Sequence, residues 1–185
     1  DGDTGTNMFL TMRSANEEAT SLVSSQTTTI ARSIAQGALL GARGNSGVIL
    51  SQFLLGFAQY LEHVGHCDAK SLASAMISGY QAAYSAVTNP VEGTILTVMR
   101  RLSSAAEESA TTGEDNVIAI WSSALEEAKV SLSETPESLP ILKNAGVVDA
   151  GGQGLVVLLE GILCSLLGND IDSLELGLSL STMTA

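Results

Sequence analysis

Four glycine-rich polar segments carry the residue types able to do chemistry. They are Asp1-Gly2-Asp3-Thr4-Gly5-Thr6-Asn7, Gly41-Ala42-Arg43-Gly44-Asn45-Ser46-Gly47, Asn89-Pro90-Val91-Glu92-Gly93-Thr94 and Gly146-Val147-Val148-Asp149-Ala150-Gly151-Gly152-Gln153-Gly154. Asp1 and Asp3 stand i, i+2 around Gly2, so a tight turn can bring both carboxylates onto one hard cation. Mg²⁺ suits such oxygens when substrate phosphates complete its shell. The same pair also reads as a solvated acidic turn or as caps for the following helix. It does not continue into an EF-hand, which needs Gly and Glu further along. In Gly44-Asn45-Ser46-Gly47 the small residues allow backbone to approach a phosphate, and Asn45 and Ser46 can donate hydrogen bonds. Arg43 can meet phosphate charge or lie in solvent. No segment is a Walker A loop, because Gly-Lys-Ser/Thr does not occur. Taken singly, each also reads as an ordinary turn between helices.

Other polar groups give weaker signals. His63, His66 and Cys67 cluster, but their spacing fits neither a zinc site nor a helical i, i+4 pair, and a helix end with solvated histidines suits them better. Glu17-Glu18, Glu107-Glu108 and Glu126-Glu127 read as solvated faces, and Met8, Met12, Met76 and Met99 as core fillers.

The elements that must position these segments are helical. Val117, Trp121, Ala124, Leu125, Ala128 and Leu132 form an i, i+3, i+4, i+7 stripe, as do Leu72, Met76, Tyr80, Ala83, Tyr84 and Val87. Ile95, Met99, Leu102 and Ala106 give a third, Ile30, Ile34 and Ala38 a fourth, and Val48, Ile49, Phe53, Phe57 and Leu61 a fifth. Residues 155–167 are apolar almost all round, which predicts a central helix. Residues 7–23 form a weaker helix. Asp68 is the expected N-cap of the helix over 68–87, and Thr135-Pro136 reads as an N-cap followed by Pro at the first helical position. Leu174, Leu176, Leu178 and Leu180 alternate, but residues 169–185 read as a loose tail. Seven to eight amphipathic helices without a sheet predict an all-α antiparallel bundle or barrel. In an up-and-down bundle alternate connections share an end, so the helix N-termini after these segments would aim their N–H groups into one space.

Composition narrows the function. The 185 residues include 8 Lys+Arg against 20 Asp+Glu, a formal net charge of −12, with 45% hydrophobic residues. A nucleic-acid surface or a polybasic membrane patch would need clustered cations. Disorder is excluded by the apolar content. Cys67 and Cys164 lie far apart without a CxxC partner, which argues against a disulfide scaffold and for a reducing, cytoplasmic setting. The longest apolar run, 154–167, is broken by Glu160 and is too short to span a bilayer.

Together, and in this order, the four segments resemble the nucleotide-binding domain of the dihydroxyacetone kinase L family, most nearly the branch at the N-terminus of bacterial fatty acid kinase. The resemblance runs from residue 1 to about Leu167. It implies a barrel of eight antiparallel helices with ADP or ATP and two Mg²⁺ ions at one end. Asp1 and Asp3 match the metal ligands, Thr4, Gly5, Thr6 and Asn7 the nucleotide contacts, and Gly44, Asn45, Ser46 and Gly47 the phosphate turn. Thr94 matches the pocket lining, and Asp149, Ala150 and Gly151 the last nucleotide loop. Asp1, Asp3 and Arg43 are then the catalytic set. The family has a further metal ligand and a helix upstream of Asp1, so residues 1–185 read as one domain clipped at its metal-binding end.

The implied chemistry is phosphoryl transfer to an acceptor held by a partner, either a DegV-like fatty-acid-binding protein or another substrate-carrying subunit. A fatty acid carboxylate is already ionised and needs no general base, and the product would be an acyl phosphate. Glycerone kinase-type transfer is the close alternative. A non-catalytic nucleotide-binding or assembly module, or a purely structural bundle, is the reading from other classes. Homodimerisation would run through the downstream domains. With a net charge of −12 and a polyanionic ligand, strict Mg²⁺ dependence is expected.

Overall fold

The structure is a computed structural model and describes residues 3–170. Among them are nine helices and no strand: α1 (Thr4–Thr20), α2 (Thr27–Leu40), α3 (Gly44–Val64), α4 (Ala69–Ser85), α5 (Ile95–Thr111), α6 (Val117–Ser133), α7 (Thr135–Ser138), α8 (Pro140–Ala145) and α9 (Ala150–Leu166). Seven are long. The expected short helix after residue 135 is two pieces, α7 and α8, separated at Leu139, whose extended backbone is what the following Pro140 demands. The alternating leucines from 174 to 180 lie outside the described residues.

Short loops reverse the chain at each step: 41–43 joins α2 to α3, and 65–68 joins α3 to α4. Successive helices pack on each other from α1 to α6. Helix α9 then returns to touch α1, α5 and α6 and closes the ring, while α2 lies outside it against α1 and α3. Most residues of the expected stripes face inward. Met76 and Ala83 of α4, Val98, Met99, Leu102 and Ala106 of α5, Ile120, Ala124 and Ala128 of α6, and Leu155 and Leu159 of α9 are at most 4% exposed. Each large one contributes roughly 1.5–3 kcal/mol by leaving water. The closure is also polar, since Trp121 donates its indole N–H to the Leu159 carbonyl at 3.0 Å.

Local chemistry sets the helix ends. Asp68 caps α4 as expected, accepting the Ser71 N–H at 2.8 Å while Ser71 Oγ accepts the Asp68 N–H at 2.7 Å. Asn116 caps α6 through the N–H groups of Ile118 and Ala119. His63 and His66 are exposed at the end of α3, and Cys67 and Cys164 are both free. No helix among the described residues is long and apolar enough to cross a membrane.

Four expectations change. Val48 and Tyr84 are not core residues but 43% and 41% exposed. Helix α9 is not buried all round along its length: Ile162 and Leu166 are each 42% exposed, while Cys164 stays buried. Thr135 does not cap α7: Glu134 holds the cap position, and the Thr135 hydroxyl is spent elsewhere.

Candidate functional site

The up-and-down topology brings the N-termini of α1, α3, α5 and α9 to one end, where they open on a single cleft of about 460 Å³. Thr4 of α1, Asn45, Ser46, Val48 and Ile49 of α3, Thr94 with Ile95 and Leu96 of α5, and Asp149 with Gly151 of α9 line it, together with residues 86–89 and Val91 after α4. Helix N-termini carry unpaired N–H groups and positive dipole ends, which together favour negative charge in a cavity that four of them border. They are not equally capped. Thr94 Oγ1 accepts the Leu96 N–H at 3.4 Å and Asp149 Oδ2 the Gly152 N–H at 2.7 Å. The N-cap side chains of α1 and α3, Asp3 and Arg43, make no cap bond.

The expected phosphate turn and nucleotide segment are first helical turns rather than loops before helices: Thr4–Asn7 opens α1 and Gly44–Gly47 opens α3. Tertiary contact explains the glycines. Gly44 has φ +59°, and a Cβ there would stand 2.3 Å from the Asn7 side-chain nitrogen. Thr11 locks the two helices, donating its hydroxyl to the Asn7 carbonyl at 2.8 Å and accepting the Arg43 N–H at 3.2 Å. The Gly47 position has no room for a Cβ, which would meet Thr11 Oγ1 at 2.4 Å.

On the opposite wall, burial holds the Asp149 carboxyl above the usual carboxylate range, although N–H groups of Gly152, Ile95 and Gly151 favour its ionised form. At the rim, Glu92 accepts the Thr97 hydroxyl at 2.7 Å and an Arg100 N–H at 3.0 Å, and the Thr97 hydroxyl holds its carboxyl below the usual range.

Of the expected site residues, the structure brings Thr4, Asn45, Ser46, Thr94, Asp149 and Gly151 to the cleft lining. Gly5 and Thr6 are exposed on the first turn of α1, Asn7 is turned to Gly44, and Gly44, Gly47 and Ala150 are outside the lining, Gly44 and Ala150 exposed and Gly47 buried. Arg43 is exposed and outside the lining, its guanidinium donating to the Ala42 carbonyl at 3.1 Å. Asp1 lies outside the described residues. The apolar part of the wall was missed: Val48, Ile49 and Val87 read as core stripe residues and Val91 as part of a polar segment, although their signal was apolar residues within or beside the polar motifs.

Among the described residues no lysine or arginine lines the cleft. Asp3 supplies an exposed, hard oxygen donor next to Thr4, a donor type that suits Mg²⁺ completed by phosphate oxygens. No group of three or more His, Cys, Asp or Glu able to hold a metal occurs among the described residues.

Over residues 1–164 the sequence matches the DAK2 domain. The chain belongs to the DAK2 domain family. The resemblance to the dihydroxyacetone kinase type is thereby established, and with it a kinase-type, nucleotide-binding domain. This DAK2 domain is 47% identical over 173 residues to an uncharacterized protein of Staphylococcus saprophyticus, and 44% identical to uncharacterized proteins of Staphylococcus aureus strains RF122 and USA300. In each case 94% of this chain is matched, and the match spans 31% of the relative's length.

Proposed function

We propose that this chain binds Mg·ATP in the cleft and transfers the γ-phosphoryl group to an acceptor held by a partner protein, most specifically a fatty acid carboxylate presented by a DegV-like subunit. The observation that carries the reading is the convergence of four helix N-termini on one cleft without a lining lysine or arginine. A polyanion there is met by N–H groups and dipoles, and the remaining charge calls for a metal.

In this reading Asp1 and Asp3 hold Mg²⁺, which neutralises charge on the β- and γ-phosphates when bound. The uncapped first turns of α1 and α3 donate to phosphate oxygens through their backbone, with Asn45 and Ser46 adding side-chain donors. Val48, Ile49, Val87 and Val91 offer an apolar wall for the base. Thr94 and Asp149 hold the ends of α5 and α9 in place. Arg43 serves the transferred phosphoryl group only by leaving the Ala42 carbonyl. The acceptor carboxylate is ionised at neutral pH, so catalysis is positioning plus electrostatics and needs no base from this chain. The acceptor, the partner and any homodimer belong to the whole protein and are part of the proposal, as is its cytoplasmic location.

Calorimetry with ATP and ADP, with and without Mg²⁺, tests the reading on the wild-type chain and on Asp1→Ala/Asp3→Ala. Magnesium-dependent binding lost in the double variant is expected. Equal affinity in both proteins would remove the metal assignment, and no nucleotide binding at all would remove the reading. Acyl phosphate formation with a fatty-acid-loaded partner separates fatty acid from glycerone as acceptor.

A further inference from the structure

We infer that Thr135 is a positioning residue that holds Asp149 across the N-termini of α5 and α9, making α7 the strut between two of the helix ends that open on the cleft. Its functional consequence rests on the nucleotide-binding reading; its geometry does not.

Thr135 is 1% exposed. A buried hydroxyl is tolerated when both its donor and its acceptor capacity are used. Here the O–H donates to the Leu132 carbonyl at 2.7 Å, which leaves the oxygen lone pairs to accept the Asp149 N–H at 3.0 Å across 14 residues. That bond fixes the backbone of the residue whose carboxylate takes the Gly152 N–H on α9 and lies beside Ile95 of α5, against which Gly151 also packs, a Cβ there standing 3.2 Å from Ile95 Cβ.

The other side of α7 supports α5. Gly93, just before that helix, has φ +79°, and a Cβ there would stand 2.7 Å from Ser138 Cβ and 3.0 Å from the Thr135 carbonyl oxygen. The turn into α5 therefore rests directly on α7. Glu134, at the cap position of α7, pairs with Arg101 of α5, which also reaches Glu127 at 2.6 Å. The contacts close a circuit from α7 to Asp149, to Ile95, to Gly93 and back to α7. The first-turn field of a helix fades within a turn, so two ends can act on one anion only while their separation is held.

The test compares Thr135→Val, which keeps the shape but removes the hydroxyl, with Thr135→Ser, which retains it. Expected for Thr135→Val are displaced Ile95 and Gly152 amide signals in ¹H–¹⁵N spectra and a Mg·ATP dissociation constant raised about tenfold, equivalent to about 1.4 kcal/mol. Thr135→Ser should keep both amide positions and bind within about twofold of wild type. Unmoved amides in a folded Thr135→Val, or a serine variant as weak as the valine one, would overturn the inference. Should the valine variant fail to fold, hydrogen exchange on the wild-type chain decides: a protected Asp149 amide upholds the bond, and one exchanging at the rate of an open loop refutes it. If the wild-type chain binds no nucleotide, the nucleotide reading falls, and the strut stands or falls on the amide signals.

Discussion

The Asp149 carboxylate caps Gly152 of its own helix at 2.7 Å and lies close enough to Ile95, the first residue of α5, for the Ile95 N–H to favour its ionised form. One side chain thereby bears on two helix N-termini. Asp149→Ala leaves the Gly152 donor unpaired in a half-buried place and should cost about 1–3 kcal/mol, measured by urea denaturation at pH 7.

The same residue predicts a pH dependence. Its folded pKa lies above the ordinary 3.8 because burial penalises the charge. The native state therefore keeps this proton longer than the unfolded chain. The contribution is fully present below pH 3.8 and is lost as pH rises through the folded value. Asp149→Asn keeps an acceptor for Gly152 but cannot titrate. The stability of wild type relative to Asp149→Asn should thus fall between pH 3.8 and 7, and parallel curves for the two proteins would count against the buried-charge account.

Two glycine substitutions should separate close packing from flexibility. Gly47→Ala drives a Cβ to 2.4 Å from Thr11 Oγ1, which is already bonded to Asn7 and Arg43, and should cost about 1–3 kcal/mol. Gly154→Ala meets only the Met8 thioether, at 2.6 Å, at the end of a flexible side chain. Its cost should stay under about 1 kcal/mol because Met can adapt. Thermal melts of the two variants give the comparison.

The rim clamp should depend more on Thr97 than on Arg100. Thr97→Val removes the acceptor of the Gly93 N–H, at 2.8 Å, together with the donor to Glu92, and should cost about 1–2 kcal/mol. Arg100→Gln removes a partly solvated ion pair and should cost less than about 1 kcal/mol. Glu92 titrates below its ordinary 4.5, so its contribution is present above that value and is lost as pH falls through the folded one. A larger melting shift for Arg100→Gln than for Thr97→Val would reverse this ranking.

Removing the metal tests the charge balance. Excess EDTA should weaken ATP binding at least about tenfold, since no lysine or arginine lines the cleft to replace the cation. Asp3→Ala alone should raise the Mg²⁺ concentration needed for half-maximal binding. ATP affinity indifferent to EDTA would mean that helix ends suffice.

Periodicity was enough to find the long helices and their buried faces, because an amphipathic helix writes its 3.6-residue period into the chain. Met99, Leu102 and Ala106 read as core and are core. The same rule failed for Val48, which lines the open cleft, and for Ile162, which lines an open apolar groove. Capping was legible at Asp68, where donor and acceptor lie three residues apart. It misled at Thr135, where the partner is 14 residues away.

By itself the sequence determined the all-α class, the four polar segments and their resemblance to one kinase-type family, since all of these rest on local spacing and residue type. It also set the shortage of cations that a polyanionic ligand would face. Only the tertiary structure decided which helix ends share the cleft, that Gly44 and Gly47 are glycines because α1 leaves no room for a side chain, and that Arg43 stands outside the lining. Those outcomes depend on distances between segments tens of residues apart, and such distances exist only once the ring of helices has closed.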